Sequence, residues 1–251
     1  MAEARKAASL PYGLDRFYPI VPDLAWLDRL LACGIRLAQL RLKDAPAAEV
    51  DRQVGLAVAL AAKAGCTLVV NDHWQAAIDH GAPWVHLGQE DLAEADVAAI
   101  RRAGLRLGLS THDETELATA LAHDPDYVAL GPVYPTTLKA MRWAPQGLAR
   151  VAEWKARVAV PLVGIGGITL EQAPGVFAAG ADIVSVVSDV VGNVDPEART
   201  AAWLRERLQD AVWIHPDGRW PTPSMTSEQI LIEVLNTLAI VDGPRIALAD
   251  C

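Results

Sequence analysis

The sequence predicts an α/β protein folded as a (βα)8 TIM barrel with a short C-terminal extension. Three observations lead there. Short apolar runs alternate with helix-length amphipathic stretches, the pattern of βαβ units around a parallel sheet. About eight such units fit into roughly 200 residues, the number that closes a barrel. The chain has 251 residues, close to the length that such barrels use as one domain. Periodicity alone leaves an open doubly wound sheet as the rival.

Taken in order, strands are expected at residues 17–21, 35–40, 67–70, 84–86, 105–109, 127–130, 161–163 and 183–187. Each is apolar on both faces, as strands covered on both sides are. Helical periodicity falls between them at 23–32, 47–64, 95–103, 114–122 and 148–157, and 201–208 reads as the last barrel helix. Residues 1–210 therefore make one catalytic domain. Residues 211–251 break the repeat. Pro, Gly and Trp crowd 213–224, and 228–240 reads as a short apolar helix with Thr226 or Ser227 as N-cap. We expect a tail that packs on the barrel or at a subunit contact, and the sequence leaves a homo-oligomer open.

Composition narrows the function classes. A hydrophobic fraction of 52% with 21% charged residues fits a chain that buries a core and excludes a disordered one. The net charge of −9 argues against nucleic acid as a partner, although a local cluster of cations still accommodates anionic substrates. Cys33, Cys66 and Cys251 are far apart and odd in number, so a disulfide framework is not expected and a reducing cytoplasm fits. No signal peptide and no membrane-length apolar run is visible.

In a parallel α/β barrel the site lies at the C-terminal ends of the strands. Polar residues collect there in this chain. Asp72 and Asp91 fall on neighbouring strand ends, where two carboxylates suit Mg2+ with waters and substrate phosphates. Each also fits the N-cap of the helix that follows. Arg41 and Lys43 are two residues apart, so on an extended strand they share a side. They await either an anionic substrate or salt bridges to the two acids. Gly166 and Gly167 after the seventh strand, with Val187 and Ser188 after the eighth, stand where many barrels cradle phosphate through backbone N–H groups. Lys139 lies in a loop rich in Pro and Thr, and Trp143 follows it as either a lid or a loop anchor.

The segments QLRLK at 39–43, ND at 71–72, VHLGQEDL at 85–92, LS at 109–110, GPVYPTTLK at 131–139, APQGL at 144–148, GIGGI at 164–168 and VVS at 186–188 occur together in this order. In that set the chain resembles the thiamine phosphate synthase family over residues 17–205. The resemblance implies a Mg2+-dependent transferase that joins hydroxymethylpyrimidine diphosphate to a thiazole phosphate. It implies that Gln39, Leu40, Arg41, Leu42, Lys43, Asn71, Ser110 and Lys139 bind the pyrimidine diphosphate, and that Arg41, Lys43 and Lys139 stabilise the leaving pyrophosphate. Asp72 and Asp91 would hold Mg2+. Thr136, Thr137, Leu138, Gly166, Val187 and Ser188 would bind the thiazole phosphate, much of it through backbone N–H groups. Many members carry a threonine where this chain has Leu138.

Two other readings compete. A thiazole tautomerase shares the barrel and resembles the chain, but places a catalytic histidine where this chain has Pro132, which moves no proton. A non-catalytic phosphate-binding barrel would use the glycine and Ser188 cup, yet would leave the acid pair and the convergent cations without a purpose.

Overall fold

The computed structural model describes residues 10–136 and 143–209, and the compact unit that carries the site runs over Ser9–Arg207. Eight parallel strands close into a barrel in sequence order. They are β1 (Phe17–Val21), β2 (Leu37–Leu40), β3 (Thr67–Asn71), β4 (Trp84–Leu87), β5 (Arg106–Thr111), β6 (Tyr127–Leu130), β7 (Leu162–Ile165) and β8 (Ile183–Val186). Closure is made by β1 against β8, where Tyr18 faces Ser185.

Side chains alternate along each strand, so every strand feeds two layers. Inside the barrel Tyr18, Leu37, Val69, Trp84, Tyr127, Val163 and Ile183 pack together. Outside, Ala38, Leu40, Leu68, Val70, Val85, Leu107 and Val128 meet the helices. The interior is thus filled, and a cavity opens above it, at the strands' C-terminal ends.

The described helices are α1 (Leu24–Leu31), α2 (Ala47–Ala64), α3 (Trp74–Asp79), α4 (Gln89–Glu94), α5 (Val97–Arg102), α6 (Glu114–Ala122), α7 (Gly147–Lys155), α8 (Ala173–Ala178), α9 (Ser188–Val191) and α10 (Pro196–Gln209). Asp23, Asp96 and Asp113 cap α1, α5 and α6 by accepting the N–H of Trp26, Ala99 and Glu116 at 2.9, 2.8 and 2.9 Å. Gly65, with φ +66°, ends α2 in the left-handed region. At the opposite rim from the site, Asp126 takes the Leu107 N–H and Arg106, while Asp182 takes the Leu162 N–H and Lys155. These contacts pin the starts of neighbouring strands, the stabilising end of such a barrel.

The expected elements differ in their edges. The second strand starts at Leu37 and not at 35, because Gly34 turns the chain at φ +89° just before it. The last helix begins at Pro196, five residues earlier than its periodicity shows, with Asp195 accepting the Ala198 N–H at 2.9 Å. Helices α3, α4, α8 and α9 were not separately expected. The predicted tail at 211–251 lies outside the described residues.

Candidate active site

A cavity of about 840 Å³ opens at the barrel mouth, and groups from most of the strand ends face it. The stretch after β2 shows how the backbone sorts its residues. Gln39 points into the barrel and is buried, Arg41 and Lys43 line the cavity, and Leu40 and Leu42 turn outward into the helix layer. The side chains of Leu40 and Leu42 face the helices, since period-two alternation sends them away from the mouth, so a substrate contact at these positions would be made by backbone. The Leu42 carbonyl is also taken, at 3.1 Å by His73 Nε2. Arg41 and Lys43 form none of the ion pairs among the described residues, although the charge of Arg41 reaches the Asp72 carboxylate. Two cations that line the cavity with no direct ion pair among the described residues favour a bound anion.

The acid pair lies beside them. Asn71 ends β3, and Asp72 turns the chain at φ +62°, which swings its carboxylate toward Asp91 in the first turn of α4. Neither acid is an N-cap: His73 occupies that position for α3 and Gly88 for α4. The Asp72 carboxylate accepts from the Asn71 amide. Burial, and then the charge of Asp91, push it well above the usual carboxylate range, with Arg41 pulling the other way. Two carboxylates held together at such a cost fit a divalent cation. Among the described residues no group of three or more His, Cys, Asp or Glu gathers, so a cation here would complete its shell with water and substrate oxygens, as Mg2+ does.

Beneath the cavity runs a buried line of polar contacts. Gln39 Nε2 donates to the Tyr18 hydroxyl at 2.9 Å, which meets the Tyr127 hydroxyl at 3.1 Å. Tyr127 meets His86 Nδ1 at 2.8 Å, and His86 Nε2 meets Ser110 Oγ at 2.8 Å. Burial, reinforced by the charge of Arg41, lowers the His86 pKa to about 4, so its ring is neutral at neutral pH. No buried side-chain polar atom among the described residues lacks a partner. Ser110 is also held through its carbonyl, which accepts from Gln89 Nε2 at 2.7 Å.

The far side of the cavity is made of backbone. Among the described residues the N–H groups of Gly166, Gly167 and Ser188 donate to no protein acceptor, and all three residues line the cavity. Only glycine fits the turn. A Cβ on Gly167 would lie 2.3 Å from the Pro135 carbonyl oxygen, and one on Gly166 would lie 2.7 Å from Pro132 Cα. The loop after β6 is drawn against this turn by Val133 N–H to Ile165 and Tyr134 N–H to Gly166, at 2.9 and 3.0 Å. Val187 and Thr136 line the same cavity. Thr137, Leu138 and Lys139 lie outside the described residues.

Sequence reasoning passed over His112 and Glu116 and left Trp143 open between a lid and a loop anchor. His112 and Trp143 line the cavity with their rings stacked at 4.1 Å and 13°. Glu116 fixes His112 at 2.6 Å, and Gln146 donates to the His112 carbonyl at 2.9 Å. Trp143 is thus a packed wall anchored to β5's end. Tyr18 and Tyr127 were legible only as members of apolar strands, and His86 only as the start of the polar segment after the fourth strand.

A closed parallel barrel whose mouth joins unpaired cations, an acid pair and free backbone donors defines a (βα)8 enzyme that handles phosphorylated small molecules. The comparisons with known proteins are specific. The thiamine monophosphate synthase family matches residues 17–190. The thiamine-phosphate synthase of Rhizobium etli is 58% identical over 192 residues, which cover 76% of this chain and 94% of that protein. The thiamine-phosphate synthase of Klebsiella pneumoniae is 51% identical over 192 residues, covering 76% and 90%. Among solved structures, a thiamine phosphate pyrophosphorylase from Pyrococcus furiosus superposes with a TM-score of 0.69 at 27% identity, covering 79% of this chain and 97% of that one. The chain belongs to the thiamine monophosphate synthase family.

Proposed function

We propose that the chain is a Mg2+-dependent transferase that condenses hydroxymethylpyrimidine diphosphate with the thiazole phosphate, giving thiamine phosphate and pyrophosphate. The observation that carries the reading is the facing pair Asp72 and Asp91 beside the unpaired cations Arg41 and Lys43, in a chain of this family. The cavity's opposite wall of free N–H groups supports a second phosphate there.

The chemistry asks little of the protein covalently. The pyrimidine CH2–O bond breaks, its electron pair leaves with pyrophosphate, and the electron-rich aminopyrimidine stabilises the cation. The thiazole nitrogen then donates its lone pair to that carbon and forms the C–N bond. Arg41 and Lys43 stabilise charge developing on the departing pyrophosphate, and Lys139 is assigned the same task. Asn71 orients Asp72 for the cation. Bound Mg2+ would supply further neutralisation of the diphosphate through Asp72 and Asp91. The N–H groups of Gly166, Gly167 and Ser188 fix the thiazole phosphate, so that the two reacting atoms meet in one orientation. His112 and Trp143 close one side of the cavity against water.

Among the described residues no helix is long and apolar enough to cross a membrane, and Cys33 and Cys66 are free thiols. The free thiols fit a reducing cytoplasm.

Calorimetric titration with the pyrimidine diphosphate tests the reading without turnover. Tight binding in Mg2+ that weakens about a hundredfold in EDTA, and in Arg41→Ala, is expected for this site. Equal affinity with and without the metal would favour a passive phosphate-binding barrel.

A further inference from the structure

The contacts beneath the cavity have a direction. The Gln39 amide nitrogen can only donate, so the Tyr18 oxygen accepts from it and the Tyr18 hydrogen is free for Tyr127. Tyr127 then accepts from Tyr18 and turns its own hydrogen to His86 Nδ1. A neutral imidazole has one donor and one acceptor nitrogen. With Nδ1 accepting, Nε2 carries the hydrogen and donates to Ser110 Oγ. Among the described residues Ser110 is left with one hydrogen and no other side-chain partner, at the wall of the cavity.

We propose that Tyr18, Tyr127 and His86 are positioning residues that hold the Ser110 hydroxyl as a hydrogen-bond donor toward the substrate's diphosphate oxygens. The proposal rests on the synthase reading for the identity of that acceptor. The relay itself rests on the hydrogen-bond geometry around an uncharged His86 ring. Its rigidity comes from packing: Tyr127 stacks on His86 at 5.6 Å and 14°, lies 5.5 Å from Trp84, and is fully buried. A serine hydroxyl otherwise rotates to suit its surroundings. Here one of its lone pairs is already occupied by His86, so its hydrogen is kept for another acceptor before substrate arrives. A donor fixed in advance is what a departing pyrophosphate needs, because nothing must reorganise as negative charge grows. Were the relay to run in the opposite sense, His86 Nε2 would accept from Ser110 and the serine would offer the diphosphate only lone pairs.

The histidine tautomer decides between the two senses. In protein labelled with 15N at histidine, the long-range N–H correlation of His86 is assigned by its loss in His86→Gln. The wild type is expected to show the Nε2–H form, and Tyr127→Phe a mixture with Nδ1–H. A wild-type Nδ1–H form overturns the proposal. Kinetics supply the second readout. Tyr127→Phe keeps the ring and removes the hydroxyl, so kcat should fall about tenfold while KM for both substrates stays within about twofold. In a Ser110→Ala background the same change should cost nothing further, because the relay has lost its end point. Independent, multiplying losses would show that Tyr127 serves only packing. Tyr18→Phe, one step further back, should give a smaller loss with the same non-additivity. If wild-type protein shows the Nε2–H form yet makes no thiamine phosphate, the synthase reading fails and the diphosphate with it, while the relay stands.

Discussion

The ring of Tyr127 occupies the space that a side chain on Gly108 would need: a Cβ there would fall 2.0 Å from Tyr127 Cζ. The two residues are register partners on β5 and β6, and Tyr127 is fully buried between its neighbours. Neither strand can yield, since both belong to the closed barrel. Gly108→Ala should therefore overpack the interior, costing about 3 kcal/mol and lowering Tm by roughly 6–12 °C. A thermal melt checks this, and an unchanged Tm would show that Tyr127 has room to move.

That relationship also marks where sequence reading runs out. The strands were legible because apolar runs covered on both faces have no polar alternation to mistake for an edge. Helix α2 was legible because its 18 residues span several periods. Helices α3, α8 and α9 have only 6, 6 and 4 residues and give a weak periodic signal. In the site, Arg41, Lys43, Asp72 and Asp91 were legible because barrel strand ends are where function collects. Leu40 and Leu42 came with their neighbours, and strand alternation turns their side chains to the helices. The relay was not legible. Tyr18 and Tyr127 are 109 residues apart, and each reads in isolation as an ordinary buried aromatic. Only closure of the barrel brings their hydroxyls together.

The acid pair carries a stability prediction with a definite sign. Folding raises the pKa of Asp72 above its unfolded value, through burial and then Asp91. The native state therefore binds more protons than the unfolded one above the usual carboxylate range, and stability falls as pH rises through that interval. Without metal, Asp72→Asn should relieve this, raising Tm at pH 7.5 by about 2–4 °C for each kcal/mol recovered. The gain should vanish near pH 3, where the wild-type carboxyl is protonated in both states. Melts in EDTA at the two pH values check it, and a lower Tm for the variant at pH 7.5 would contradict it. Turnover by the variant should fall by orders of magnitude, since the site gives up stability for a cation ligand.

The glycine turn after β7 should be intolerant for two separate reasons. Gly166 and Gly167 have φ of +95° and +68°, and each faces backbone atoms too close for a Cβ. Gly167→Ala should cost about 2–4 kcal/mol, because the atom it meets is a carbonyl oxygen of the β6 loop and not a movable side-chain tip. Protein that remains folded should show a KM for the thiazole phosphate raised about tenfold, with the pyrimidine diphosphate less affected. Steady-state kinetics with each substrate varied in turn distinguishes this from a general loss. Equal changes in both KM values would place the second phosphate elsewhere.

The most direct measurement of the central claim is product formation. Purified chain is mixed with hydroxymethylpyrimidine diphosphate, the thiazole phosphate and Mg2+, and any thiamine phosphate is oxidised to fluorescent thiochrome. The account predicts thiochrome that disappears with EDTA and in Asp72→Asn. Folded, Mg2+-supplied wild-type protein that binds both substrates but yields no thiochrome would contradict it.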